Sequence, residues 1–263
     1  MTVLNINPIA FSLGPFDIRW YSLSYIFGIL ISWFIINKFL IKHKNDIDSN
    51  TVNNLINYLI IGIILGGRIG YVLFYNFEFY INYPLEIIKI WNGGMSFHGG
   101  LLGIIISTYI FCINKKEVFF DLTDLVVLVA PIGIFFGRIA NFINGELYGR
   151  ITENNIGIIF QNGGPLPRHP SQLYEALFEG IILYLILNFL FFLTKLKKIK
   201  GAVTGLFLLF YGFFRFFIEY FREPDNQIGL ILNQFTMGQV LCIPMVIIGI
   251  TIFKYALSNK QNA

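Results

Sequence analysis

The chain has 263 residues, 56% of them hydrophobic and only 13% charged, with a formal net charge of +4. A mean hydropathy of +0.67, with apolar runs recurring from end to end, excludes both a water-soluble enzyme and a disordered chain. The small positive excess implies no nucleic-acid partner and serves instead as a topology signal.

A helix needs roughly 20 apolar residues to cross the hydrocarbon layer. Seven stretches qualify, at about 20–41, 55–76, 96–113, 122–140, 173–194, 203–221 and 235–255, and they predict one all-α domain of seven transmembrane helices over residues 1–263. The first charges are Asp17 and Arg19 and no small-residue cleavage site follows the first apolar run, so no cleaved leader is expected. Lys38, Lys42 and Lys44 follow the first span, Lys115 and Lys116 the third, Lys195, Lys197, Lys198 and Lys200 the fifth, and Lys254 and Lys260 the seventh. Only Lys89 falls on the other side, which predicts an outer N-terminus and a cytoplasmic C-terminus. Cys112 and Cys242 lie far apart in apolar runs and read as small buried hydrophobes. The longest connection, about 141–172, is rich in glycine and proline and lies outside, as a functional or mobile loop or as a passive linker.

Charged groups inside spans need an explanation, because each costs about 2.5–3.5 kcal/mol at a helix centre. Arg68 lies roughly 20 Å from the inner end of the second span at Leu55, and the same count holds from Asp124 to Arg138 and from Ala202 to Arg215. One such arginine is readily explained by snorkelling or by a structural carboxylate; three at one level in the outer half point to a shared anionic ligand. Glu175 and Glu179 are spaced i,i+4, as are Arg215 and Glu219, with Arg222 three residues further. These groups should pair and leave surplus positive charge for a phosphate.

His98 enters the third span among Gly93, Gly94, Gly99 and Gly100 and is the natural proton acceptor, although a lone histidine is more often a packing residue and glycine pairs in membrane helices more often mark close packing. The densest polar signal is GRIANFINGELYGR, residues 137–150, where Arg138 and Asn141 are i,i+3 and Gly145 and Gly149 predict a tight turn whose N–H groups can address an anion. A capped helix C-terminus accounts for the glycine and asparagine, less well for so many polar groups.

This segment resembles the signature of the prolipoprotein diacylglyceryl transferase family. The similarity extends over essentially the whole chain through GGRIGYVLFYN (66–76), GGMSFHGG (93–100), RHPSQLYE (168–175) and FRFFIEYFREPD (214–225). The resemblance implies a seven-helix bacterial inner-membrane enzyme with a periplasmic N-terminus. Such an enzyme moves the diacylglyceryl group of phosphatidylglycerol to the lipobox cysteine of a prolipoprotein signal peptide, forming a thioether and releasing glycerol phosphate. It implies His98, Arg138, Arg215 and Glu219 as catalytic candidates. With them go Tyr21, Tyr71, Tyr75, Asn141, Glu146 and Gly149 as candidate substrate-binding residues, to which the pattern of charged and polar groups adds Arg68, Asn144, Glu175 and Arg222.

The chemistry fits that inventory. A thiol has a pKa near 8.5 and must lose its proton, which assigns His98 as base. Charge then grows on the leaving phosphate, where Arg138 and Arg215 would stabilise it, Glu219 would orient Arg215, and Glu146 and Asn141 would hold headgroup hydroxyls or position Arg138. No metal cluster and no cofactor are expected. Donor lipid and membrane-anchored peptide both arrive by lateral diffusion, so the site should open sideways. An anion transporter is the rival reading, but it would need charge lining both halves of the membrane; a scaffold would not need three arginines at one depth.

Overall fold

The computed structural model describes residues 2–14, 16–44, 47–90, 93–113, 119–224, 230–231 and 234–261. Lys115 and Lys116 of the topology count lie outside the described residues. Two compact units are present, Met1–His43 with Asp124–Ala263 and, between them in sequence, Lys44–Thr123.

Among the described residues, five helices are long and apolar enough to cross a membrane: Trp20–His43, Ser49–Phe74, Phe119–Ile143, Ser171–Leu193 and Met237–Asn259. Two further apolar helices, within 96–113 and 203–221, are shorter than expected. α4 (Phe97–Phe111) has 15 residues, because Ser96 caps it by accepting from Gly99 N at 3.2 Å, and the helix gives out before Cys112. α8 (Ala202–Ile218) has 17, starting after Gly201 at φ +85° and ending where the chain turns to bring Arg222 beside Gly149.

In the unit of residues 44–123, α2 (Ser49–Phe74) is capped by Asp48, whose carboxylate accepts from Thr51 N at 2.8 Å. α2 and α4 meet along a glycine seam. A methyl group on Gly62, Gly66 or Gly70 would overlap Gly99, Gly103, Ser96 or Ser107 of the facing helix. The glycine pairs therefore serve close helix packing here. α3 (Phe77–Asn82) and a short turn at Pro84–Ile87 lie between them. Lys44 and Asp121 form a buried pair at 2.8 Å.

In the other unit, α1 (Trp20–Ile35) runs on through a π turn (Ile36–Leu40) to His43. It crosses α5 (Phe119–Ile143) where a Cβ on Gly28 would stand 3.2 Å from Gly133 Cα. α6 (Ser171–Glu175), a π segment (Ala176–Ile182) and α7 (Leu183–Leu193) form one continuous helix. α9 (Met237–Gln261) packs backbone to backbone on α8 at Gly205 and Gly249. The expected all-α fold also carries short strands. β1 (Thr2–Leu4) pairs in parallel with β4 (Ile158–Phe160), and β2 (Ile9–Leu13) pairs antiparallel with β3 (Phe16–Arg19). Strands of three to five residues are too short to show the alternation that betrays a sheet in sequence.

The π segment explains how α6 and α7 present one face. Glu175, Glu179, Leu183, Leu187 and Phe191 are all essentially inaccessible, at 0–1% exposure. At 3.6 residues per turn, every fourth residue drifts by about 40°, which over four steps would carry Phe191 about 160° from Glu175. The wider π turn, closed by i→i+5 bonds, falls short of a full turn in four residues and reverses part of that drift.

Candidate functional site

Two arginines meet on one carboxylate. Arg138, near the end of α5, places Nε 2.7 Å from Glu175 Oε2, and Arg215, near the end of α8, places Nη1 2.8 Å from Glu175 Oε1. Glu179 stands 3.7 Å from Arg138 Nη2 and 3.4 Å from Arg215 Nη1. Arg215 Nη2 is 2.8 Å from Glu219 Oε2, and Arg222 approaches the same oxygen at 3.9 Å. Arg138, Arg215 and Arg222 stand beside an equal number of carboxylates, Glu175, Glu179 and Glu219. The i,i+4 step from Glu175 into the π segment delivers both carboxylates of that pair to the same two guanidiniums.

These contacts are ion pairs more than aligned hydrogen bonds. Both Glu175 oxygens, Glu179 Oε2 and Glu219 Oε2 receive no well-directed N–H.

The helix α5 continues through Asn141, as the i,i+3 pairing with Arg138 requires. Asn141 Nδ2 donates to Glu146 Oε1 at 2.8 Å and Asn144 Nδ2 to the same oxygen at 3.4 Å. Arg138 is held by Glu175 and Glu179, so Glu146 and Asn141 brace each other instead. Four N–H groups of the turn are spent within the chain: Asn144 on Ala140 O, Gly145 on Phe142 O, Glu146 on Asn141 O and Gly149 on His169 O. Gly149 is glycine because a Cβ there would stand 2.4 Å from Phe221 O and 2.6 Å from His169 O. Leu147, at φ +56°, holds a left-handed backbone that leucine rarely adopts, a strained kink beside Glu146.

The stretch 144–170 is a laced cap. Arg150 N donates to Phe221 O and Thr152 N to Pro167 O, both at 2.9 Å, and Ile158 and Arg168 exchange backbone bonds at 3.0 and 2.9 Å. Arg168 donates to Gly163 O at 2.8 Å, pairs with Glu223 at 3.1 Å and lies 4.9 Å from the Tyr148 ring. His169 Nδ1 is 3.1 Å from the Tyr174 hydroxyl, and burial lowers its pKa below the ordinary histidine value. A cleft of about 400 Å³ opens between Glu146, Tyr148, Arg168, Arg222 and Glu223.

Tyr21 stands 5.3 Å from Tyr25, ring to ring, and Tyr25 lies within electrostatic reach of Arg138 and Glu146. Arg68, Tyr71, Tyr75 and His98 belong to the unit of residues 44–123. Arg68, expected to share the ligand, is fully committed. Its Nε donates to Ile87 O, Nη1 to Gly93 O and Gly94 O, and Nη2 to Glu86 O and Lys89 O. All five guanidinium N–H groups are taken up by carbonyls at 86–89 and 93–94. Tyr71 and Tyr75 stack at 5.6 Å, and a side chain on Gly94 would strike the Tyr71 ring. His98 begins the first turn of α4, and its side chain lies outside the described residues.

Other participants stand outside the predicted set. Glu179 was legible only as the i,i+4 partner of Glu175. Tyr211, one turn before Arg215, stands within electrostatic reach of Arg138, Arg215, Glu175 and Glu179. Gln172 donates to Glu146 O at 2.6 Å. Gly238 makes room for the Glu219 carboxylate, a contact across helices that no local motif encodes.

A family pattern described as prolipoprotein diacylglyceryl transferase matches residues 8–255. Proteins named phosphatidylglycerol--prolipoprotein diacylglyceryl transferase are similar over nearly their whole length. The protein from Rickettsia akari is 57% identical over 95% of this chain and 96% of its own, and that from Rickettsia felis 55% over the same shares. The protein from Rickettsia canadensis is 56% identical over 93% and 95%. With Arg138 and Arg215 of the signature segments meeting on Glu175, and with the match running almost from end to end, the chain belongs to the prolipoprotein diacylglyceryl transferase family.

Proposed function

We propose that this chain transfers the diacylglyceryl group of phosphatidylglycerol to the lipobox cysteine of a prolipoprotein, the first step of lipoprotein maturation. The names of its relatives support the reaction, and the meeting of Arg138 and Arg215 on Glu175 is the structural observation that carries it. A phosphodiester is gripped by guanidinium N–H donors that Glu175, Glu179 and Glu219 already hold in place. Such preorganised donors are worth most where charge develops in a dry site.

The step balances simply. The cysteine thiol gives its proton to the His98 imidazole, sulfur bonds to the glycerol carbon, and the carbon–oxygen bond to phosphate breaks. Its electron pair leaves with glycerol phosphate, onto whose oxygens Arg138 and Arg215 direct their N–H groups. Glu219 fixes Arg215 from the far side, and Asn141, Asn144 and Glu146 contact the headgroup glycerol, with Tyr21, Tyr71 and Tyr75 as further headgroup donors.

The same reading takes α4 and α8 as short crossings, giving seven spans in a bacterial inner membrane, with a periplasmic N-terminus, a cytoplasmic C-terminus and the site at the outer leaflet. The lysine distribution supports it. Purified protein incubated with phosphatidylglycerol vesicles and a lipobox peptide should give a diacylglyceryl thioether and free glycerol phosphate. A peptide recovered unmodified, with the lipid intact, would overturn the proposal.

A further inference from the structure

Asp124 lies far along α5 from the arginine cluster and is completely buried. Its carboxylate reaches across to α8, accepting from Gly201 N at 2.9 Å, Thr204 N at 2.9 Å and Thr204 Oγ1 at 2.8 Å. α8 has no side-chain cap of its own, and Gly201 at its head is left-handed. The acid of one helix thus closes the N-terminus of another.

The spacing gives this tie a second meaning. Fourteen residues separate Asp124 from Arg138 on α5, and fourteen separate Gly201 from Arg215 on α8. At 1.5 Å per residue both arginines stand about 21 Å above the tie, on helices that run in the same direction. At that height Arg138 and Arg215 meet the two oxygens of Glu175. We infer that Asp124 is a positioning residue, one that sets the axial register of α5 against α8 and so the spacing of the two guanidiniums that hold the phosphate in the proposed reaction. The alternative is a helix cap that contributes stability and nothing else.

Length and charge separate the two roles. Asp124→Asn keeps the reach and can keep the bonds to Thr204; Asp124→Glu keeps the charge and both acceptors but adds a methylene between the helices. If register matters, kcat for the lipobox peptide should fall in the order wild type, Asp124→Asn, Asp124→Glu. The last should be about 10-fold or more below wild type, with peptide KM unchanged, because sub-ångström placement governs such steps. A kcat for Asp124→Glu at or above that of Asp124→Asn overturns the inference, as does loss of folded protein in both variants, which makes Asp124 a folding residue.

A second arm does not depend on the reaction. Sites this far apart normally act additively on stability. The unfolding midpoints of Asp124→Glu, Glu175→Gln and the double variant in detergent should be non-additive, because a slipped register has already loosened the Glu175 junction. Additive shifts overturn the inference even if wild type proves inactive on phosphatidylglycerol, a result that would count against the proposed reaction alone.

Discussion

A Cβ atom on Gly238 would stand 2.7 Å from the carboxyl carbon of Glu219. The first turn of α9 is therefore the wall against which Glu219 is pressed toward Arg215, 2.8 Å away. Gly238→Ala should displace the carboxylate, with an overpacking cost of about 1–3 kcal/mol and a lower transfer rate. Unfolding in detergent and peptide modification measure the two effects; wild-type values in both would show that Glu219 has room to move.

Glu175 is the shared anion of Arg138 and Arg215, so Glu175→Gln leaves two buried cations short of a partner. Breaking a buried pair in this way costs about 3–5 kcal/mol, so the variant should fold with a much lower unfolding midpoint in detergent. Arg138→Lys should be impaired too, since a single ammonium cannot address Glu175 and Glu179 as Nε and Nη2 do. Arg138→Ala should lower kcat by the equivalent of about 2.7–4 kcal/mol, as for loss of one transition-state donor. Unchanged turnover in Arg138→Ala would reduce Arg138 to packing.

Arg68→Lys offers three donors where five are used. Its expected signature is a lower unfolding temperature and easier proteolysis in 86–94, as the loop carbonyls lose partners. Protection of that loop at the wild-type level would contradict the clamp.

His98→Gln should slow thiol modification near neutral pH without loss of folded protein. The deficit should shrink toward pH 8.5, where the thiol ionises by itself. A pH-independent deficit would remove His98 as the proton acceptor.

His169 gives a pH dependence of stability. Burial holds its folded pKa below the ordinary 6.5, so the unfolded chain takes up a proton first as pH falls. Stability from this group is intact above about pH 6.5 and declines as pH drops from there toward the folded pKa. His169→Gln should flatten that part of the profile of unfolding temperature against pH; an unaltered profile would assign the dependence elsewhere.

Much of this was readable from spacing alone. The i,i+4 and i,i+3 steps along Arg215, Glu219 and Arg222, and the depth match of Arg138 with Arg215, correspond to side chains that meet in the structure. Arg68 shows where depth counting stops: residues per turn give height along a helix but not azimuth, and nothing local reveals that carbonyls at 86–89 and 93–94 take up the guanidinium. Gly238 failed to declare itself for a related reason, since the carboxylate it makes room for belongs to another helix. The charge count included Arg68, whose guanidinium is taken up by loop carbonyls instead.

The π segment at 176–182 makes the spacing between Glu175 and Phe191 intolerant of indels. Removing one residue there would relax the widened coil into an ordinary α-helix. The apolar tail could then stay seated only by swinging the acidic pair off the arginines, or the acids stay only by turning leucines outward. Point substitutions can be absorbed one contact at a time; a lost codon in this stretch would dismantle the cluster in a single event.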